Sequence, residues 1–195
     1  MNPATFHRHL NTLSAPSDTG FTIIEILISV LVLTIGILGA IKLQLSSMQT
    51  TQQSNFNSVA VKLASEMADK MRGNHVQMQQ SDNAFLKVDF NSSDGAPATA
   101  SMCYGKTECS PDQLAAADIS EWLNQLNNAL PGARALICRD SSPWSSGANS
   151  LTWNCAAGSG NNVSIVIKLG WAEKNGASTS AATNLPPRLA IAVNP

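Results

Sequence analysis

From Phe21 to Ile41 the chain carries a single ionisable side chain, Glu25, in an otherwise apolar run that Lys42 closes. That length is about the 20 residues an α-helix needs to cross a ~30 Å hydrocarbon core. A carboxylate near the start of such a run is costly in lipid by an amount that depends on depth. The placement therefore calls for a partner that meets Glu25 at some stage.

Upstream, residues 1–20 (MNPATFHRHLNTLSAPSDTG) are polar, punctuated by Pro3 and Pro16, and end in Gly20. They read as a segment to be removed. A secretory signal places a roughly 7–15-residue apolar core ahead of its cleavage site, whereas here the apolar run follows the glycine. Cutting after Gly20 would leave the hydrophobic helix on the mature chain.

Gly20-Phe21-Thr22-Ile23-Ile24-Glu25, followed by the long apolar helix, resembles the class III signal of type IV pilins and of the pseudopilins of type II secretion. The resemblance implies cleavage between Gly20 and Phe21 by a prepilin peptidase. It also implies N-methylation of Phe21 and packing of the span into a filament core, with Glu25 as the docking carboxylate. One feature departs from the pattern: such leaders have Lys or Arg close to the glycine, whereas this one has Asp18-Thr19, and its one Arg is Arg8. The alternative is a plain membrane anchor with a carboxylate at the headgroup boundary. It leaves the Gly-Phe junction and the spacing of Phe21 and Glu25 unexplained.

Helical periodicity continues beyond the span. Leu43, Leu45, Met48, Phe56, Val59, Leu63, Met67 and Met71 recur at intervals near three and four, and Lys62, Glu66 and Lys70 are spaced for i,i+4 pairs. A helix from Phe21 to Arg72 would be about 78 Å long. Gly36 and Gly39 weaken it, either as a soft spot or as sites of close helix packing. Gly73-Asn74 is the stop signal. The division expected is a leader over 1–20, a transmembrane or filament-core half-helix over 21–45, an amphipathic half over 46–72 and a globular head over 73–195.

In the head, Leu86, Val88 and Phe90 alternate with Lys87 and Asp89, which predicts a strand running into a turn at Ser93-Asp94-Gly95. Ser110-Pro111-Asp112-Gln113 offers an N-cap, a proline at the first helical position and a capping-box Gln. A helix should follow to about Leu130, with a stripe of Leu114, Ile119, Trp122, Leu123, Leu126 and Leu130. Residues 133–138, 163–171 and 188–193 are strand-like, so the expected class is α+β, with three or four antiparallel strands packed on helices. The order of the Trp122 helix, the strand ending in Cys138 and the strand ending in Trp171 looks like the PilV kind of minor pilin. Residues 140–160 and 174–187 are expected to be loops.

Cys103, Cys109, Cys138 and Cys155 lie in a head destined, by the resemblance, for an oxidising compartment. Four cysteines allow three pairings; the most local joins Cys103 to Cys109 and leaves Cys138 to Cys155. Neither gap has zinc-knuckle spacing, so no metal and no cofactor is expected. His75 is the one histidine of the mature chain, and no catalytic or phosphate-loop motif occurs, so an enzyme is not expected. Trp144 and Trp153 sit in a Ser/Asn/Gly-rich loop, either to fill space beneath a disulfide or to meet a ligand. Asn91-Ser92-Ser93 and Asn162-Val163-Ser164 match the glycosylation sequon, a short and common pattern to which no function attaches. A net charge of −1 with no basic cluster argues against nucleic acid.

The resemblance implies a minor pilin held in the inner membrane by one span, with its head in the periplasm, and displayed at the cell surface in the pilus after assembly. Its implied partners are other minor pilins, the major pilin, the prepilin peptidase and the inner-membrane assembly machinery. The roles that follow are pilus assembly and display, adhesion and twitching motility. The alternatives are a ligand-binding tip adhesin and a pseudopilin of type II secretion.

Overall fold

A computed structural model describes residues 20–80, 82–101, 103–104, 108–157, 163–172 and 185–193. Most of the leader, Asn162 of the second sequon and most of the 174–187 loop lie outside the described residues. The chain divides into two units, Met1–Met48 and Gln49–Pro195, with the boundary inside the first helix.

That helix, α1, runs over Ile23–Gly73. In the first unit it continues without a break through Gly36 and Gly39, and nothing lies within 4 Å of where a Cβ would sit on either. Residues 21–50 are exposed throughout. The side chains of Leu43, Leu45 and Met48 therefore find no cover among the described residues.

In the second unit the periodic face is buried: Ala60, Leu63, Ala64, Met67, Ala68 and Met71 form one side of the core, with Phe56 and Val59 at its margin. Three alanines in that stripe let neighbouring elements approach the helix backbone closely. Gly73-Asn74 ends α1 but does not end helical structure. Asn74 caps a one-turn helix, α2 (His75–Met78), by accepting from the Gln77 amide, and its own amide group donates to the Pro111 carbonyl at 2.7 Å. His75 is exposed on this turn.

The predicted strand over 86–90 is shorter than expected. Asn83 accepts from the Phe85 amide and starts a 3-10 turn over Ala84–Lys87 that carries Leu86, and strand β1 is only Asp89–Asn91. Side-chain capping by Asn competes with extended backbone, and alternation alone does not reveal it. A second 3-10 turn, Ser92–Asp94, is capped by Asn91 and ends at Gly95 with φ +117°, a conformation glycine adopts without strain.

Helix α3 is Pro111–Ala129 and begins with the full capping box: Ser110 Oγ accepts from the Gln113 amide, and Gln113 Oε1 accepts from the Ser110 amide. Its stripe is shifted from the expected one, since Leu114 is exposed and Ala115 is buried in its place. Trp122 is fully buried, and its Nε1 donates to the Leu63 carbonyl of α1 at 2.8 Å.

Four antiparallel strands form the main sheet in the order β1-β2-β5-β6, with β2 Arg134–Arg139, β5 Ile165–Gly170 and β6 Leu189–Val193. The registers are continuous, from Arg134 opposite Gly170 to Arg139 opposite Ile165, and from Ile165 opposite Val193 to Leu169 opposite Leu189. Ala135, Ile137, Ile165, Ile167 and Leu169 join the core beneath α1 and α3. Residues 140–157 are not a plain loop, for they include the two-stranded hairpin β3 (Trp144–Ser145) and β4 (Ser150–Leu151), with Asn149 at φ 48° in the connection. The architecture is thus α+β, as the sequence suggests.

Truncating Trp122 to Ala should cost about 3–5 kcal/mol, because it removes the largest buried side chain between α1 and α3. Leu114→Ala should change stability by less than ~0.5 kcal/mol. Chemical denaturation of the detergent-solubilised chain, followed by amide circular dichroism, would show the contrast. Comparable losses from both would mean that the stripe lies where the sequence alone puts it.

Candidate functional site

The N-terminal site is assembled from Gly20, Phe21 and Glu25, all exposed. Thr22 starts the helix: its carbonyl accepts from the Glu25 and Ile26 amides, and its Oγ1 lies 3.3 Å from the Glu25 amide. Thr22 thus satisfies amide groups that a helix start leaves unpaired. A Thr in this position therefore sets the carboxylate one turn into the helix. Ser29 and Thr34 return their hydroxyl protons to the carbonyls of Glu25 and Leu31, both at 2.7 Å, which hides polar groups inside the apolar segment. The helix is long and apolar enough to cross a membrane. Phe21, at 79% exposure, and Glu25 are left with no tertiary partner among the described residues.

The second cluster lies in the head. Cys103 is bonded to Cys109, with Cα atoms 5.9 Å apart, and Cys138 to Cys155, with Cα atoms 6.2 Å apart. No free cysteine and no metal-ligating cluster occurs among the described residues. The first bridge closes a short loop just before the α3 N-cap. Within it Tyr104 donates to Glu121 at 2.9 Å, and Glu121 shares Lys70 with Asp118 at 3.2 and 3.1 Å. Burial draws the Lys70 pKa down, but the two carboxylates outweigh it and leave Lys70 above its ordinary value. These pairs sit at the rim of the α1–α3 contact, where each contributes little in water.

The second bridge belongs to a covering layer on the other face of the sheet. β5 is buried along its whole length, so Val166, Lys168 and Gly170 need a lid opposite the α1 side. Residues 140–157 supply it. Trp153 lies under the Arg134 guanidinium, 4.2 Å from ring centroid to cation, and its Nε1 donates to the Leu185 carbonyl at 2.7 Å. The same indole packs so closely on Gly170 that a Cβ there would lie 2.8 Å from it. Trp153 is therefore the space-filler beneath the disulfide loop, while Trp144, on the hairpin, is 52% exposed.

Two residues that sequence reasoning missed hold this lid. Lys168 is fully buried and pairs with the equally buried Asp140. Its remaining two protons go to the Thr152 and Asn154 carbonyls at 2.8 and 2.6 Å. Asp140 Oδ1 accepts from the Ser142 and Ala156 amides at 2.9 and 3.2 Å. Burial alone would raise the Asp140 pKa, but the Lys168 ammonium and the two amides outweigh it and hold the carboxyl below the usual aspartate value. A lysine between Ile167 and Leu169, in a strand apolar on both faces, was the signal: such a charge must be paired.

A family model described as Type IV pilin Tt1218 matches residues 42–120. A second, described as the prokaryotic N-terminal methylation motif, matches residues 16–41. The two abut between Ile41 and Lys42, and neither extends past Ser120 to the sheet core or the second disulfide. No curated protein and no solved structure matches the chain.

Lys168→Met would leave Asp140 buried without its cation, at a cost of about 3–5 kcal/mol near neutral pH. The sign with pH follows from the lowered carboxyl: its stabilising contribution is present above the unfolded aspartate value near 3.9. It fades as the pH falls from there through the lower folded value. The stability gap between wild type and Lys168→Met should therefore narrow on going from pH 7 to below pH 3.9. Denaturation at the two pH values checks this, and a gap that widens in acid would refute it.

Proposed function

The chain is a class III prepilin-like type IV pilin, and from that premise we propose that it is a minor subunit of the pilus. It is cleaved after Gly20, methylated at Phe21 and docked into the fibre through Glu25. The observation that carries this reading is the exposed apolar helix with one carboxylate, placed four residues beyond the new amino terminus. Before assembly the chain resides in the inner membrane, anchored by residues 21–45, with 46–72 and the head 73–195 on the periplasmic side. After assembly it is displayed in the pilus. Its partners are then the prepilin peptidase, the major and other minor pilins and the inner-membrane assembly machinery, and its role is structural rather than enzymatic. The resemblance of the head to the PilV kind supports a minor over a major subunit.

The chemistry of docking is that of a charge seeking a counter-charge in low dielectric. Cleavage creates an α-amino group at Phe21 that remains cationic when methylated, with a reference pKa of about 8. Phe21 and Glu25 of one chain are a helical turn apart, so an internal pair shields the carboxylate in the membrane. In the fibre, Glu25 of the entering subunit meets the Phe21 amine of a neighbour already docked. A buried pair of this kind depends strongly on position, so it selects the axial register while apolar contacts supply most of the binding.

A second reading, an adhesive head, is favoured by the exposed Trp144, since a half-exposed indole on a pinned hairpin can stack on a ligand. A pseudopilin of type II secretion would use the same N-terminal chemistry. Deleting the gene and scoring surface pili, protein secretion and attachment by preformed pili separately distinguishes the three. Loss of secretion with normal pili would overturn the pilus assignment.

Gly20→Leu should leave a membrane-bound precursor about 2 kDa heavier than the mature chain, visible by intact mass. A processed chain from this variant would place the junction elsewhere. Glu25→Ala should leave cleavage and membrane insertion intact but lower recovery in sheared pili, and Glu25→Lys should lower it further by placing like charges together. Recovery of the Glu25→Ala chain at wild-type stoichiometry would remove the docking role.

A further inference from the structure

Cys155 is exposed and lies in a Ser/Asn-rich segment with little apolar burial of its own, yet the residues on both sides of it are anchored. Asn154 gives its carbonyl to buried Lys168, and Ala156 gives its amide to buried Asp140. The Ala156 carbonyl in turn accepts from the Ser141 amide and hydroxyl, both at 3.0 Å. On the partner side, Cys138 stands opposite Val166 in the β2–β5 register, and the Asp140 amide extends that pairing to the Ser164 carbonyl at 3.1 Å. None of these contacts is made by a cysteine sulfur. Together they close the loop that the bridge closes.

We infer that the buried Asp140–Lys168 pair is a positioning device for disulfide formation, holding Cys155 opposite Cys138 before oxidation and keeping residues 140–157 in place when the bridge is open. With a disulfide oxidant such as oxidised glutathione, the Cys138–Cys155 bond forms and the oxidant's sulfur–sulfur bond breaks. The two cysteine protons end on the two released glutathione thiols, and the cysteine pair loses the two electrons that the glutathione gains. The pair acts by raising the effective concentration of one thiol at the other. It thereby favours this bond over the two crossed pairings that four cysteines also allow. The inference does not depend on the filament reading, because it concerns the head alone.

The test uses the whole chain in detergent micelles, equilibrated with mixtures of reduced and oxidised glutathione, quenched and mapped by mass spectrometry for each cysteine pair. In Asp140→Leu/Lys168→Met both charges are gone, so no buried charge is left unpaired and the sheet is retained. The effective concentration for Cys138–Cys155 should nevertheless fall about tenfold or more, the worth of one charge-assisted hydrogen bond. The Cys103–Cys109 value should stay near wild type. An unchanged Cys138–Cys155 value in the folded double variant would overturn the inference. A second measurement stands if that variant does not fold. In Cys138→Ala/Cys155→Ala, hydrogen exchange at the Ser142 and Ala156 amides should remain slow, close to the oxidised wild type. Exchange at unprotected rates would mean that the covalent bond, not the ion pair, holds the loop.

Discussion

The head is built against one face of α1. Ala60, Leu63, Ala64, Met67, Ala68 and Met71 form a stripe that cannot remain in water beside charged Lys62, Glu66 and Lys70 without a cover. Each covering element is tied to it in its own way. Trp122 of α3 fills the space and bonds the Leu63 carbonyl, Lys70 gathers Asp118 and Glu121, and Asn74 reaches the carbonyl just inside α3. The inner sheet residues Ala135, Ile137, Ile167 and Leu169 close the core. The first half of the same helix has no such cover among the described residues, and a continuous apolar surface of that size marks a surface for lipid or for other subunits.

Local chemistry was the legible part of the sequence. The Ser110 capping box, the Pro111 start and the apolar runs of β2, β5 and β6 depend on near neighbours, so composition and spacing identify them. Where a side chain bonds its own backbone the reading erred: Asn83 turned part of the expected strand into a 3-10 turn, and Asn74 began a new helical turn where a stop was expected. Leu114 was misplaced because the face of a helix is set by what covers it. At the N-terminus Gly20, Phe21 and Glu25 form a pattern of near neighbours, in which spacing along one helix is itself the information.

The lid over β5 was not legible, because it depends on contacts far apart in the chain. Lys168 meets Asp140, Thr152 and Asn154 only after β2 and β5 have paired, and Trp153 meets Gly170 in the same way. A hydrophobic lid could have covered the strand, and replacing buried ion pairs with apolar residues is often neutral or stabilising. The choice of a charged lock suits a segment dominated by Ser, Asn and Gly, whose backbone groups need partners more than its side chains need burial. Geometry rather than added stability is what the lock contributes, and the exposed hairpin carrying Trp144 inherits that definition.

In the head, a charge placed in apolar surroundings specifies position, and the proposed function extends the same rule to Glu25. Lys168 finds its partner within the fold, whereas Glu25 has none among the described residues, and the proposed docking would supply one from another subunit. The most direct measurement of that docking is a quantitative mass-spectrometric inventory of sheared, purified pili from cells expressing the wild-type chain. The account predicts peptides that begin at methylated Phe21, at a small fraction of the major pilin. Absence of the chain from pili while it accumulates in the inner membrane, or its presence there with residues 1–20 still attached, would contradict it.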